Sequence, residues 1–131
     1  MIKQVLLMAV LEEMERQEQK LETLFETRPE DWQEIYTSTR RQIKLCMIEM
    51  MGLAQDHLEM NEEDERNLRE VAEAFRWRAD KHRKRWPVES IDLSDELCVE
   101  SFRKVRKTST EFKAVVRALI DRYRADEDKI P

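Results

Sequence analysis

The side chains with the widest chemical repertoire in this sequence are two histidines, His57 and His82. A histidine can bind a metal, move a proton or act as a nucleophile. Both fall on the apolar faces of helical segments. Pairing those segments about a turn near residue 60 separates the two rings by about two or three helical turns. Because metal–nitrogen bonds are about 2 Å long, the pair cannot share one ion, and we expect two core histidines.

The two cysteines, Cys46 and Cys98, make neither a CxxC motif nor a zinc-ligand spacing. Both lie on predicted apolar faces, so we expect buried thiols in a reducing compartment, with a disulfide between helices as the alternative. Carboxylates are abundant because the chain is 40% charged, and solvated helix faces account for them better than a metal site. The single glycine excludes a glycine-rich phosphate loop. We therefore expect no cofactor, no metal and no enzymatic activity. A carboxylate-metal or histidine-dependent enzyme is the weakest of three hypotheses.

Charge is divided unevenly along the chain. The chain has a net charge of −5. Residues 1–65 carry 16 acidic and 7 basic side chains, whereas residues 66–131 carry 13 acidic and 17 basic side chains. Residues 76–86 form the densest basic segment, and a second basic row follows at helical spacing. The basic side chains of the two rows are Arg76, Arg78, Lys81, Arg83, Lys84, Arg85, Arg103, Arg106, Lys113 and Arg117.

Basic side chains on a rigid ridge suit phosphate binding, and most non-specific nucleic-acid affinity comes from such contacts. These residues are therefore the candidate site of a nucleic-acid-binding helical subunit or regulator. The same cations could instead stabilise the helix that carries them, because the dipole of a helix favours positive charge near its C-terminus. They could also bind an acidic protein, or pair with acidic residues of the first helix, namely Glu15, Glu18, Glu22 and Glu26.

Trp77 is the most informative single residue. It lies two positions after Phe75, about 200° farther round a helix, so it should point away from the apolar face among basic neighbours. An exposed tryptophan beside arginine is typical of a protein interface and could also stack on an unpaired base. The alternative is that Trp77 packs against a second neighbour at the side of a bundle.

Two apolar features suggest a protein partner. Residues 5–11 are apolar on all sides, whereas a surface helix shows one apolar stripe, so this segment should be covered by the bundle or by a second chain. Methionines cluster on the second helix, where they either fill the core or bind varied helical partners. The candidate protein-binding residues are Leu6, Val10, Met47, Met51 and Trp77.

The periodicity of apolar residues defines the elements that position these side chains. Spacings of three and four predict helices over about residues 2–27, 30–59, 62–86 and 95–125, with a linker at 87–94 and a frayed tail at 126–131. Thr27 and Glu30 have capping-box spacing before the second helix. Asn61 can cap the third helix, and Ser94 or Asp95 the fourth.

We predict an all-α fold, an antiparallel four-helix bundle with long helices, in one domain covering residues 1–131. The rival is an extended three-helix array whose fourth helix completes a dimer, and a homodimer is a further expectation. The leading functional hypothesis is a non-enzymatic, cytoplasmic protein-binding bundle, acting as an adaptor, a small chaperone or an inhibitor of a larger protein. No segment is apolar enough for membrane insertion, so no membrane partner is expected.

Overall fold

A computed structural model describes the backbone of residues 2–128 and the side chains of residues 4–123. The backbone of this part of the chain forms four α-helices, one short 3-10 turn and no strand. The all-α prediction is confirmed. None of the described helices is long and apolar enough to cross a membrane. The helices are α1 (Ile2–Thr27), α2 (Trp32–His57), α3 (Glu62–Arg85) and α4 (Glu96–Asp128), and the 3-10 turn is Val88–Ser90.

Two predicted caps are confirmed. The side-chain oxygen of Asn61 accepts a hydrogen bond of 2.8 Å from the backbone N–H of Asp64, which satisfies a free donor in the first turn of α3. A carboxylate oxygen of Asp95 accepts a hydrogen bond of 2.9 Å from the backbone N–H of Leu97 at the start of α4. These two residues therefore decide where the second pair of helices begins.

The predicted capping box between α1 and α2 is wrong. The hydroxyl of Thr27 donates to the carbonyl of Thr23 at 2.9 Å, so Thr27 belongs to the last turn of α1 instead of capping α2. Arg28 has a φ of 40°, and its N–H donates to the carbonyl of Leu24 at 2.8 Å. This left-handed residue ends α1 as glycine commonly does elsewhere.

Helix α4 continues farther than expected. It extends to Asp128, whereas the sequence predicts a frayed tail from residue 126. No proline or glycine occurs between residues 96 and 128, so nothing in the covalent structure forces an earlier end. The remainder of the predicted tail, residues 129–131, lies outside the described residues.

The chain divides into two compact units. The first comprises the described residues of Met1–Glu59 and of Ile120–Pro131, and the second comprises Met60–Leu119. In the first unit, α1 and α2 pack against each other and are joined by residues 28–31. The rings of Phe25 and Tyr36, on either side of this connection, have centroids 5.7 Å apart.

The apolar faces of α1 and α2 largely follow the predicted spacing. The buried positions are Gln4, Leu7, Leu11, Met14, Glu18 and Leu24 on α1, and Tyr36, Thr39, Ile43, Cys46, Met47, Met50 and Ala54 on α2. Glu18 is acidic but buried, because it lies one turn after Met14 on the same stripe of α1. The expectation that His57 lies in the core is wrong: His57 is exposed, because it is the last residue of α2.

In the second unit, α3 and α4 contact each other through aromatic and polar side chains. The ring centroids of Phe75 and Phe112 are 6.3 Å apart, and those of His82 and Phe102 are 4.1 Å apart. The buried side of α3 has the spacing of three and four that predicts the helix, since Leu68, Ala72, Phe75, His82 and Trp86 are buried and Ala79 is partly buried. The linker between these helices contains the 3-10 turn Val88–Ser90.

Candidate functional site

Trp77 points away from the buried face of α3. Its neighbour Phe75 is buried, and the ring of Phe75 packs near that of Phe112. Two residues correspond to a rotation of about 200°, and Trp77 is 56% exposed. The predicted direction of this side chain is therefore confirmed. An indole of this size on the outside of a helix offers a large apolar contact area.

Two cations flank the indole of Trp77. The guanidinium carbon of Arg78 and the ammonium nitrogen of Lys81 each lie 4.8 Å from the ring centroid. Such cation–π contacts contribute about 0.5–1 kcal/mol each at exposed positions. They restrict the motion of the ring and surround it with positive charge. We call Trp77, Arg78, Lys81 and Lys84 the Trp77 surface; Lys84 is exposed and lies two helical turns after Trp77.

The other basic residues of α3 are spread around the helix. At 100° per residue, Arg76 and Arg83 lie about 100° or more from Trp77, on another side. A guanidinium nitrogen of Arg83 is 3.3 Å from a carboxylate oxygen of Asp80. The guanidinium of Arg85 lies 4.9 Å from the ring of Trp86, which is buried. The dense basic segment is therefore not one continuous phosphate-binding ridge.

The second basic row, on α4, is interrupted. Arg103, Arg106 and Arg117 are exposed, and a nitrogen of Arg103 lies 3.5 Å from a carboxylate oxygen of Glu100. Lys113 is buried, because it lies one turn from the buried residues Ser109 and Val116. The expectation that Lys113 belongs to an exposed row is wrong for this physical reason.

The remaining candidate protein-binding residues lie on α1 and α2. Leu6 is exposed, whereas Val10 and Met51 are partly buried. Met47 is only 6% exposed and lies one turn from Ile43 on the buried face of α2. It belongs to the core and cannot contact a partner unless the helix moves.

Apolar side chains are exposed at several places on the described helices. Within the described chain, the bundle does not cover residues 5–11 on all sides, since Val5 and Leu6 are exposed while Leu7 and Leu11 are buried, and cover by a second chain stays a prediction. Leu45 and Ile48 are exposed on α2, and so is Leu97 near the start of α4. A helical projection of the apolar residues outside the main face could have found the pair on α2.

His82 and the two cysteines are buried structural groups. Nδ1 of His82 and the hydroxyl oxygen of Ser101 are joined by a hydrogen bond of 2.6 Å, and the imidazole is buried beside Phe102. Cys46 and Cys98 are free, buried thiols, as expected. Burial raises the pKa of the Cys46 thiol, and the negative charges of Glu13 and Glu49 raise that pKa further. Both effects keep the thiol protonated and unreactive at neutral pH.

The described residues contain no group of three or more histidine, cysteine or acidic side chains that could hold a metal ion. Comparison with protein-family models, with curated proteins and with solved structures found no match to this chain.

Proposed function

We propose that this chain is a non-enzymatic protein-binding helical module, of the kind that serves as an adaptor, a small chaperone or an inhibitor of a larger protein. The Trp77 surface is the proposed contact. The observation that carries the proposal is the exposed indole of Trp77 between the cationic groups of Arg78 and Lys81. Tryptophan and arginine are among the residues most enriched at the energetic centres of protein interfaces.

The chemistry of the Trp77 surface defines the partner. The indole requires an apolar pocket, and the cations around it require acidic side chains at the rim of that pocket. Since the two cation–π contacts already restrict the ring, less side-chain freedom is lost on binding, which favours affinity. We therefore expect a folded protein that presents an apolar pocket bordered by aspartate or glutamate. Leu6, Val10 and Met51 are proposed as secondary contacts.

A protein partner accounts for the charge arrangement better than nucleic acid does. A phosphate backbone is a long row of negative charges, and its binding requires several cations in line. On α3 the cations are distributed around the helix, Arg83 lies beside Asp80, and on α4 Lys113 is buried. The alternative is that Trp77 stacks on an unpaired base of a nucleic acid. Nuclease treatment distinguishes this alternative from a protein partner.

The experiment is affinity capture from the source lysate with the full chain and matched variants, with and without nuclease. Trp77→Ala and Lys81→Glu should lose the same stoichiometric protein, and nuclease should not affect its recovery. Leu97→Ala is the control, because Leu97 is also exposed but lies on α4. Retention of every captured protein by Trp77→Ala would show that the site is wrong. Loss of the captured material on nuclease treatment would favour nucleic acid.

We also propose an antiparallel course for the helices within each unit. Along α1 and α2, Phe25 lies beside Tyr36 at the connection, and Glu13 is close enough to influence Cys46. In an antiparallel pair, a later residue of one helix lies beside an earlier residue of the other, and these contacts have that order. On α3 and α4, His82 contacts Phe102, whereas Phe75 contacts Phe112. The single four-helix bundle and the cytoplasmic location stay predictions.

A further inference from the structure

Helix α2 has an apolar surface on the side opposite its buried residues. Leu45 is 49% exposed and Ile48 is 52% exposed. Gly52 lies one turn after Ile48, Arg41 one turn before Leu45, and Asp56 one turn after Gly52. At 100° per residue these five residues occupy a sector of about 80°. We call this sector the outer face of α2.

Gly52 has no role within the described chain that would require a glycine. It does not have a positive φ, and a Cβ atom added to it would meet nothing within 4 Å. Glycine in a helix interior costs about 0.5–1 kcal/mol relative to alanine. A glycine on a helix surface lowers the surface locally, so that a side chain of another helix can fit there.

We propose that the outer face of α2 binds the same face of a second copy of this chain, with the two α2 helices antiparallel. The spacing of the residues supports this occupant. In an antiparallel pair centred between Ile48 and Glu49, Leu45 of each protomer lies opposite Gly52 of the other. The side chain of Leu45 then fills the open space at the glycine. Each interaction occurs twice, as a two-fold symmetric interface requires.

The charges at the two ends of the outer face are complementary in the same register. Arg41 and Asp56, like Leu45 and Gly52, lie at equal distances along the sequence from the point between Ile48 and Glu49. In the antiparallel pair, Arg41 of one protomer therefore faces Asp56 of the other. Both side chains are exposed, and neither forms an ion pair within the described part of the chain. A parallel pair would instead place like charges together, which is unfavourable.

Sedimentation velocity of the full chain over a range of concentrations tests the proposal. The wild-type protein should show a monomer–dimer equilibrium. Ile48→Asp should raise the dimer dissociation constant about tenfold or more, because it removes a large apolar contact and places two carboxylates near the symmetry axis. Leu97→Asp is the control and should leave the equilibrium unchanged. A wild-type chain that stays monomeric at every concentration would overturn the proposal.

Charge reversal tests the register. Arg41→Glu and Asp56→Arg should each weaken the dimer, and the double variant should restore most of the wild-type association. A dimer that persists in all three variants with unchanged affinity would contradict the antiparallel register. Rescue by the double variant is difficult to attribute to a change in folding, since both positions are exposed.

The substitution Gly52→Ala distinguishes an effect on the stability of the monomer from an effect on the dimer interface. The added methyl group fits within the chain, so the monomer should melt at a higher temperature, whereas the dimer dissociation constant should rise as the space for Leu45 is filled. If Gly52→Ala raised both the melting temperature and the affinity of the dimer, Gly52 would not provide space for Leu45 at the interface. This inference does not rest on the proposed function, because the Trp77 surface lies on α3, and Trp77→Ala should leave dimerisation unchanged.

Discussion

The imidazole of His82 on α3 is hydrogen-bonded to the hydroxyl of Ser101 on α4, with 2.6 Å between Nδ1 and Oγ. This bond joins the two long helices of the second unit near the linker between them. The ring of Phe102, 4.1 Å from the imidazole, shields the pair on one side. A buried polar contact of this kind fixes the helix register, because a slipped pairing would leave the imidazole without its hydroxyl.

Replacement of Ser101 by alanine should destabilise the protein by about 1–2 kcal/mol, because a buried imidazole nitrogen loses its hydrogen-bond partner. Chemical denaturation followed by circular dichroism measures the change. Ser38→Ala is the matched control, since Ser38 is an exposed serine within α2, and its replacement should be close to neutral. Equal effects of the two substitutions would contradict the structural role of the Ser101 hydroxyl.

Two leucines of α1 should respond very differently to truncation. Leu11 is fully buried, so Leu11→Ala should cost about 2–5 kcal/mol of stability through lost burial and a residual cavity. Leu6 lies on the same helix but is exposed, and Leu6→Ala should cost less than about 0.5 kcal/mol. Denaturant titrations of both variants check this prediction. A large loss for Leu6→Ala would indicate that another element covers the start of α1.

The pKa of Cys46 predicts a loss of stability in alkaline solution. The pKa is raised above the ordinary value of 9.0 in the folded chain, so the folded state holds the thiol proton more tightly than the unfolded state. The resulting stabilisation is complete below pH 9 and is lost as the pH rises from 9.0 through the folded pKa. Denaturation of wild type and Cys46→Ala between pH 8 and pH 11 isolates this contribution from other titrating groups. Parallel pH profiles for the two proteins would contradict it.

Fluorescence quenching tests the environment of Trp77. Of the three tryptophans, Trp77 is 56% exposed and lies between two cations, Trp32 is partly buried beside Arg28, and Trp86 is buried. Iodide, an anion, should quench Trp77 more strongly than caesium does, because positive charge concentrates anions near the ring. Trp77→Phe should remove most of the iodide-sensitive emission, and Lys81→Glu should reduce the preference for iodide. Equal quenching by the two ions in the wild-type protein would contradict the cationic environment.

The regular parts of the fold could be predicted from the sequence because they depend on local chemistry. The face of α3 follows a strict spacing of three and four, and Asn61 is a strong capping residue followed by acidic side chains. The direction of Trp77 follows from the same periodicity, since Phe75 fixes the buried side. These features require only helix geometry and the preference of apolar side chains for burial.

Other features depend on packing that periodicity does not describe. Glu18 and Lys113 are charged but buried, because each lies in line with apolar neighbours along its helix. The end of α1 depends on the left-handed conformation of Arg28, which a non-glycine residue adopts only in a particular context. The clustering of methionines predicts a binding surface that includes Met47, although its position places it on the buried face of α2.

Photo-crosslinking from position 77 tests the central claim most directly. A photoreactive benzoylphenylalanine replaces Trp77 in the full chain, and a matched protein carries it in place of Leu97. Irradiation in the source lysate should join the position-77 protein to one discrete protein, independently of nuclease, while the position-97 protein gives no such product. If position 77 gives no discrete protein adduct, or only nuclease-sensitive material, the Trp77 surface does not bind a protein.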